Sequence, residues 1–149
     1  MNTRTVVIGI GNPFRRDDGA GPAVVDLLRG RLTGVEFVVC DGEPTTVIDA
    51  WTGAGRAVVV DATRTADGEA GRIHRFATGH PSATRAGITA SHAADLGDTV
   101  ALARALDRMP DTLLVYTVEV ADVCYGTGMS PAVVAATGRL ADDIAAVLG

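Results

Sequence analysis

The chain has 149 residues and a net charge of -5, and it is 47% hydrophobic with only 4% aromatic residues. That size suits a single domain, residues 1–149, with a core of Val, Ala, Leu and Ile. The acidic balance, with no basic run longer than Arg15-Arg16, excludes a nucleic-acid binder; no apolar stretch approaches the roughly 20 residues that span a bilayer.

All thirteen basic residues are arginine, which excludes Schiff-base chemistry and a P-loop lysine. Cys40 and Cys124 form no CxxC pair and are expected to be free thiols in a reducing compartment. Met1–Arg4 lead straight into an apolar run without a signal-peptide layout, so the expected location is the cytoplasm.

In chain order, Thr5–Ile10 reads as a buried strand that runs into Gly9-Ile10-Gly11-Asn12-Pro13-Phe14-Arg15-Arg16-Asp17-Asp18-Gly19-Ala20-Gly21-Pro22. A dinucleotide fingerprint would need a further glycine where Phe14 stands, and the acids that follow would repel pyrophosphate. The turn offers ligands and not a cradle for anions. Pro22 suits the first turn of a helix whose inner face is Val24, Val25, Leu28 and Leu32. Val35–Cys40 reads as a second strand, Thr45–Trp51 as a short helix, and Arg56–Val60 as a third strand ending on Asp61.

Gly71–Phe76 alternates, which predicts an edge strand after a turn at Asp67-Gly68. The Gly-, Ser-, Thr- and Ala-rich segment 77–90 is expected to be a mobile loop. Ser91 is expected to cap a third helix with an inner stripe of Leu96, Val100, Ala103 and Leu106. Thr112–Val118 supplies another strand, and Ser130-Pro131 opens a last helix with Val133, Leu140, Ile144 and Val147 facing inward. Strands alternating with helices predict an α/β fold: a three-layer αβα sandwich on a mostly parallel, twisted sheet of about five strands, with an antiparallel edge strand.

Ligands of such sheets bind beyond the carboxyl ends of the strands. Asp17 and Asp18 follow the first strand, Asp41 the second and Asp61 the third, and His92 opens the third helix on the same rim. Carboxylates with an imidazole suit a borderline divalent ion such as nickel or zinc. Each residue also has a plainer reading. Asp17 or Asp18 would complement the helix dipole, Asp61 would form an Asx turn with Ala62 and Thr63, and His92 would be an exposed helix-start residue. His74, expected to be exposed on the edge strand, and His80, in the loop before Pro81, compete for the imidazole role. Ser82, Ser91 and Ser130 lack a GxSxG setting, and neither cysteine has a neighbouring histidine.

The block Gly9-Ile10-Gly11-Asn12 with Asp17-Asp18-Gly19-Ala20-Gly21-Pro22 resembles the opening of the nickel-iron hydrogenase maturation endopeptidases. The likeness continues through Cys40-Asp41-Gly42, Val58–Thr63, Ser91-His92 and Tyr125-Gly126-Thr127-Gly128-Met129-Ser130-Pro131. The resemblance implies a cytoplasmic enzyme that removes a short C-terminal extension from the hydrogenase large-subunit precursor once nickel is inserted. It also implies that Asp18, Asp61 and His92 engage the nickel, which the substrate carries and this chain need not retain. Asp41 or Asp17 would then assist the attacking water. Asp18 stands where some members have Glu, and Glu43-Pro44-Thr45 follows Asp41-Gly42 where the family often has a small residue and Thr. Glu43 either alters which tail is accepted or points outward. Two other readings stay open: a peptidase of this fold acting on another precursor, and a non-catalytic module that recognises the nickel-loaded precursor.

Overall fold

The computed structural model describes residues 4–64, 68–77 and 91–149, with 91–95 described by their helical backbone alone. The strands are β1 (Thr5–Ile10), β2 (Glu36–Cys40), β3 (Arg56–Thr63), β4 (Ile73–Ala77) and β5 (Thr112–Glu119). The helices are α1 (Ala20–Arg29), α2 (Pro44–Trp51), α3 (Ser91–Ala105) and α4 (Pro131–Leu148), with a 3-10 turn at Arg16–Gly19 ahead of α1.

The sheet order is β2-β1-β3-β5-β4. The pairs β1–β2, β1–β3 and β3–β5 are parallel, and β4 runs antiparallel to β5 at the edge, as its alternating sequence predicts. Successive strand residues point to opposite faces, so the apolar runs feed two cores. On one face Val7, Val58, Val60, Leu114 and Tyr116 meet Val24, Val25 and Leu28 of α1 and Val133, Leu140 and Ile144 of α4. On the other, Val6, Ile8, Ile10, Val59 and Val115 meet Val47, Ile48 and Trp51 of α2 and Leu96 and Ala103 of α3. This is the expected three-layer α/β sandwich. Trp51 is fully buried, and its indole N–H donates to the Arg108 carbonyl at 2.9 Å, so the large ring enters the core without an orphaned donor.

Four details differ from the sequence reading. β3 does not stop at Val60: it continues through Asp61 to Thr63, because Asp61, Ala62 and Thr63 pair with Thr117, Val118 and Glu119 of the equally long β5. β2 is an edge strand, which leaves Val39 42% exposed. Leu106 is exposed and not part of the α3 stripe. The helix ends before it: Asp107 takes a left-handed φ of 56°, and the Arg108 N–H closes back on the Ala103 carbonyl. Leu32 and Val147 are only half-buried, packed against the core from beyond α1 and from the last turn of α4. Apart from Gly68 and Ala77, the expected turn at Asp67-Gly68 and the expected mobile loop 77–90 lie outside the described residues. No helix among the described residues is long and apolar enough to cross a membrane.

The start of α1 lies directly on the sheet, and glycine permits it. A Cβ on Gly21 would stand 2.5 Å from the Ile10 carbonyl oxygen and 2.7 Å from that of Val60, both fixed backbone atoms. Gly138, inside α4, has open space around the same position. Gly21→Ala is therefore expected to destabilise the fold by about 1–3 kcal/mol, whereas Gly138→Ala stabilises it by roughly 0.5–1 kcal/mol. Denaturant unfolding of the two variants checks the opposite signs.

Candidate active site

The two adjacent acids after β1 have different fates. Asp17 is completely buried and accepts four hydrogen bonds across more than a hundred residues of sequence. They come from the Ala121 and Asp122 N–H groups (3.0 Å each), the Ser130 N–H (2.6 Å) and the Ser130 hydroxyl (2.8 Å). Burial alone would push its pKa up. The hydrogen bonds from Ser130, Asp122 and Ala121 outweigh that and hold the carboxyl below its ordinary value. The same two loops are joined by backbone: the Asp17 N–H donates to the Asp122 carbonyl, Arg16 to Gly126, and Gly126 to Phe14. These bonds hold Arg16 at a left-handed φ of 47°, which a side chain rarely adopts. Both carboxylate oxygens of Asp17 are committed to the loop, so it is unavailable as a general base.

Asp18 turns the other way. It is 5% exposed and accepts from the Asn12 N–H at 2.9 Å. Beneath it, Gly11 has a φ of 148°, and a Cβ there would fall 1.9 Å from the Asp18 carbonyl oxygen. The first glycine-rich segment thus lets the acid-bearing turn fold flat against the end of β1.

Asp61, fully buried inside β3, accepts from the Ala62 N–H at 2.8 Å. That bond comes from the very next residue and is not the expected Asx turn, which would accept from the Thr63 N–H; the strand runs on through it. Asp61 lines a small cleft of about 10 Å³ together with Ile10, Gly42 and Leu96, between the ends of β1 and β3, the β2–α2 turn and α3. His92 opens α3 four residues before Leu96, one helical turn nearer the amino end; its side chain, like the whole of His80, lies outside the described residues.

Asp41 is exposed beside Gly42 and accepts from the Glu43 N–H at 3.1 Å. Burial, and then the Asp41 and Asp61 carboxylates, push the Cys40 thiol up against the opposing effect of the Gly42 N–H. Cys40 is accordingly a thiol at neutral pH and not a nucleophilic thiolate. Glu43 neither reaches the cleft nor points idly outward. It caps α2, accepting from the Thr46 N–H at 3.1 Å and from the Thr45 and Thr46 hydroxyls. A Glu cap followed by Pro44 at the first helical position is legible in Glu43-Pro44-Thr45-Thr46, although Ser, Thr, Asp and Asn are the usual caps.

His74 is not the simple exposed residue expected of an edge strand. Its ring is about one-third exposed, and its Nε2 lies 3.3 Å from Oε2 of Glu119, which is buried at the end of β5. Glu119 was missed by sequence reasoning. The signal was a charged residue inside the apolar run Thr112–Val120, since a carboxylate in such a strand is retained only with partners. Among the described residues no three His, Cys, Asp or Glu side chains converge as a metal site.

Replacing Asp17 by Asn would set an amide against donors that now meet a carboxylate. Asp17→Asn is expected to cost on the order of 3 kcal/mol of stability. Because the folded-state pKa is lowered, that advantage of the parent is fully present above the ordinary value of 3.8 and is lost as the pH falls through the lower folded value. Unfolding of both proteins as a function of pH measures it; a variant within about 1 kcal/mol of the parent at neutral pH would contradict it.

No protein-family model matches the chain, and no curated protein matches it. Solved structures do. The hydrogenase maturating endopeptidase HybD from E. coli superposes with a TM-score of 0.81 at 20% identity, covering 98% of this chain and 92% of that one. The NiFe hydrogenase maturation protease HybD from Thermococcus kodakarensis gives 0.83 at 20% identity, covering 99% and 100%. The hydrogenase 2 maturation peptidase from a Thaumarchaeota archaeon gives 0.71 at 24% identity, covering 99% of each chain. From end to end, the chain has the fold of these hydrogenase maturation endopeptidases.

Proposed function

We propose that the chain is an endopeptidase that removes the C-terminal extension of a nickel-iron hydrogenase large-subunit precursor after nickel insertion. The observation that carries this reading is the burial of two carboxylates, Asp18 after β1 and Asp61 on the neighbouring strand β3, in a fold shared along its whole length with maturation endopeptidases. Carboxylate oxygens are ligands that a divalent ion arriving in the substrate would take. Nickel in this reading is cargo of the precursor. Asp18 and Asp61 offer it oxygen, and His92, at the amino end of α3, offers an imidazole. Engaging the nickel anchors the tail on the rim of the sheet, so the scissile bond is presented in a fixed register and hydrolysed there.

Three variants test this. With a nickel-loaded precursor, Asp18→Ala, Asp61→Ala and His92→Ala are each expected to slow removal of the tail by roughly 100-fold or more, read as persistence of the precursor mass. Full processing by all three would overturn the site. A parent protein that binds the nickel-loaded precursor without changing its mass would instead identify a binding module.

A further inference from the structure

Beside the buried Asp17 lies a cavity of about 220 Å³, lined by Arg16, Asp17, Asp122, Gly128, Met129 and Ser130. The four donors that fill the Asp17 carboxylate also fix the cavity wall, because they come from Ala121, Asp122 and Ser130. Arg16 and Asp122 are the charged lining groups with hydrogen-bonding capacity to spare. One Asp122 oxygen accepts from the Cys124 N–H at 3.0 Å, and the other lies 3.7 Å from Arg16 Nε, too far for a hydrogen bond. The Arg16 guanidinium makes no hydrogen bond among the described residues. Both side chains are a little under half exposed, so water fills that capacity until a ligand displaces it.

Arg16 stands at this cavity against its backbone preference. Glycine adopts a φ of 47° freely, yet the position carries an arginine. A Cβ on Gly126 would fall 3.0 Å from Arg16 Nε and from one terminal nitrogen, so the guanidinium rests against bare backbone. On the cavity wall Gly128 has a φ of 93°, and nothing lies within 4 Å of where its Cβ would stand. Strain retained at a charged residue beside an open cavity points to a ligand. The two segments that form the wall, bridged at Arg15 and Gly126, also carry the two most exposed aromatic side chains, Phe14 at 66% and Tyr125 at 85%. Exposed aromatics of this kind are what protein partners bury, so the ligand is polypeptide.

We infer that this cavity grips the main chain of the precursor near its nickel, Arg16 donating to a carbonyl and Asp122 accepting from the N–H of the same residue; this rests on the endopeptidase reading above. An extended residue turns its N–H and C=O to the same side, which matches a donor and an acceptor standing side by side. A carboxylate fits less well, since it would pair with Arg16 but face Asp122 next to it, and a basic side chain meets the reverse conflict. Arg16 lies two residues before Asp18, a span of at most about 7 Å. A precursor segment anchored through nickel at Asp18 therefore has the cavity within reach of its next two or three residues, at about 3.3 Å each. Main-chain contacts carry no side-chain preference, so the grip sets the position of the segment without reading its sequence.

The test is steady-state cleavage of the nickel-loaded precursor by the full-length chain, with the melting temperature of each variant. Arg16→Gly relieves the strained backbone, so it is expected to melt at or above the parent temperature while raising KM about tenfold at a kcat within about threefold. Asp122→Asn, which keeps an oxygen for the Cys124 N–H, is expected to raise KM about tenfold as well. The assignment is overturned if both variants keep KM within about twofold of the parent, or if Arg16→Gly loses stability and activity together. A KM that rises in Arg16→Gly and falls in Asp122→Asn would also overturn it, by identifying a carboxylate ligand. A parent that leaves the precursor uncut would overturn the endopeptidase reading separately. The cavity is then read by equilibrium binding of the same precursor, which Arg16→Gly is expected to weaken about tenfold and whose invariance would overturn the grip.

Discussion

The buried carboxylate of Asp17 is the interaction on which the rest of the rim depends. It gathers three backbone N–H groups and one hydroxyl from the segment Ala121–Ser130, and so ties the exit of β1 to the connection between β5 and α4. Removed from water, a carboxylate is tolerable only when its lone pairs are filled, and here the loop supplies the donors. Two consequences follow from one bond set. The strained backbone at Arg16 is held in place, and the next residue along, Asp18, is delivered to the end of β1 with a fixed orientation. The glycines contribute by removing obstacles: without a Cβ at Gly11 and Gly21, the acid-bearing turn and the first turn of α1 can lie on the strand ends.

A second constraint comes from strand length. β3 and β5 stay paired for eight residues each, which carries β3 three residues and β5 one residue beyond the bounds their apolar patterns give. The additional pairs bring polar side chains into a region as buried as the core. Asp61, Thr63, Thr117 and Glu119 are all at most 2% exposed. A sheet that ends on a carboxylate, two hydroxyls and a second carboxylate gives up apolar burial in its last rows. The register sets which of these polar residues share a row: Asp61, Thr117 and His74 in one, Thr63 and Glu119 in the next that faces the same way.

The strands and helices were legible because their signals were local and mutually consistent. β1 was read with its observed bounds, β2 and α2 to within one residue, and the antiparallel edge strand from period-2 alternation alone. The misses were non-local. The end of β3 depended on its partner β5, and the exposure of Leu106 depended on a left-handed turn at Asp107 that no apolar pattern reports. At the rim, proximity of Asp18, Asp41 and Asp61 to the strand ends followed from topology, but the division of labour did not. Asp17 and Asp18 are chemically identical neighbours, and only the donors that fold back from Ala121, Asp122 and Ser130 separate them. The pairing of His74 with Glu119 joins residues 45 positions apart, beyond the reach of any motif.

The most direct measurement is the intact mass of a hydrogenase large-subunit precursor incubated with this protein, with and without nickel in the precursor. Loss of the C-terminal extension from the nickel-loaded form, with the nickel-free form left whole, is the predicted result. Equal cleavage of both forms, or cleavage of neither, would contradict it.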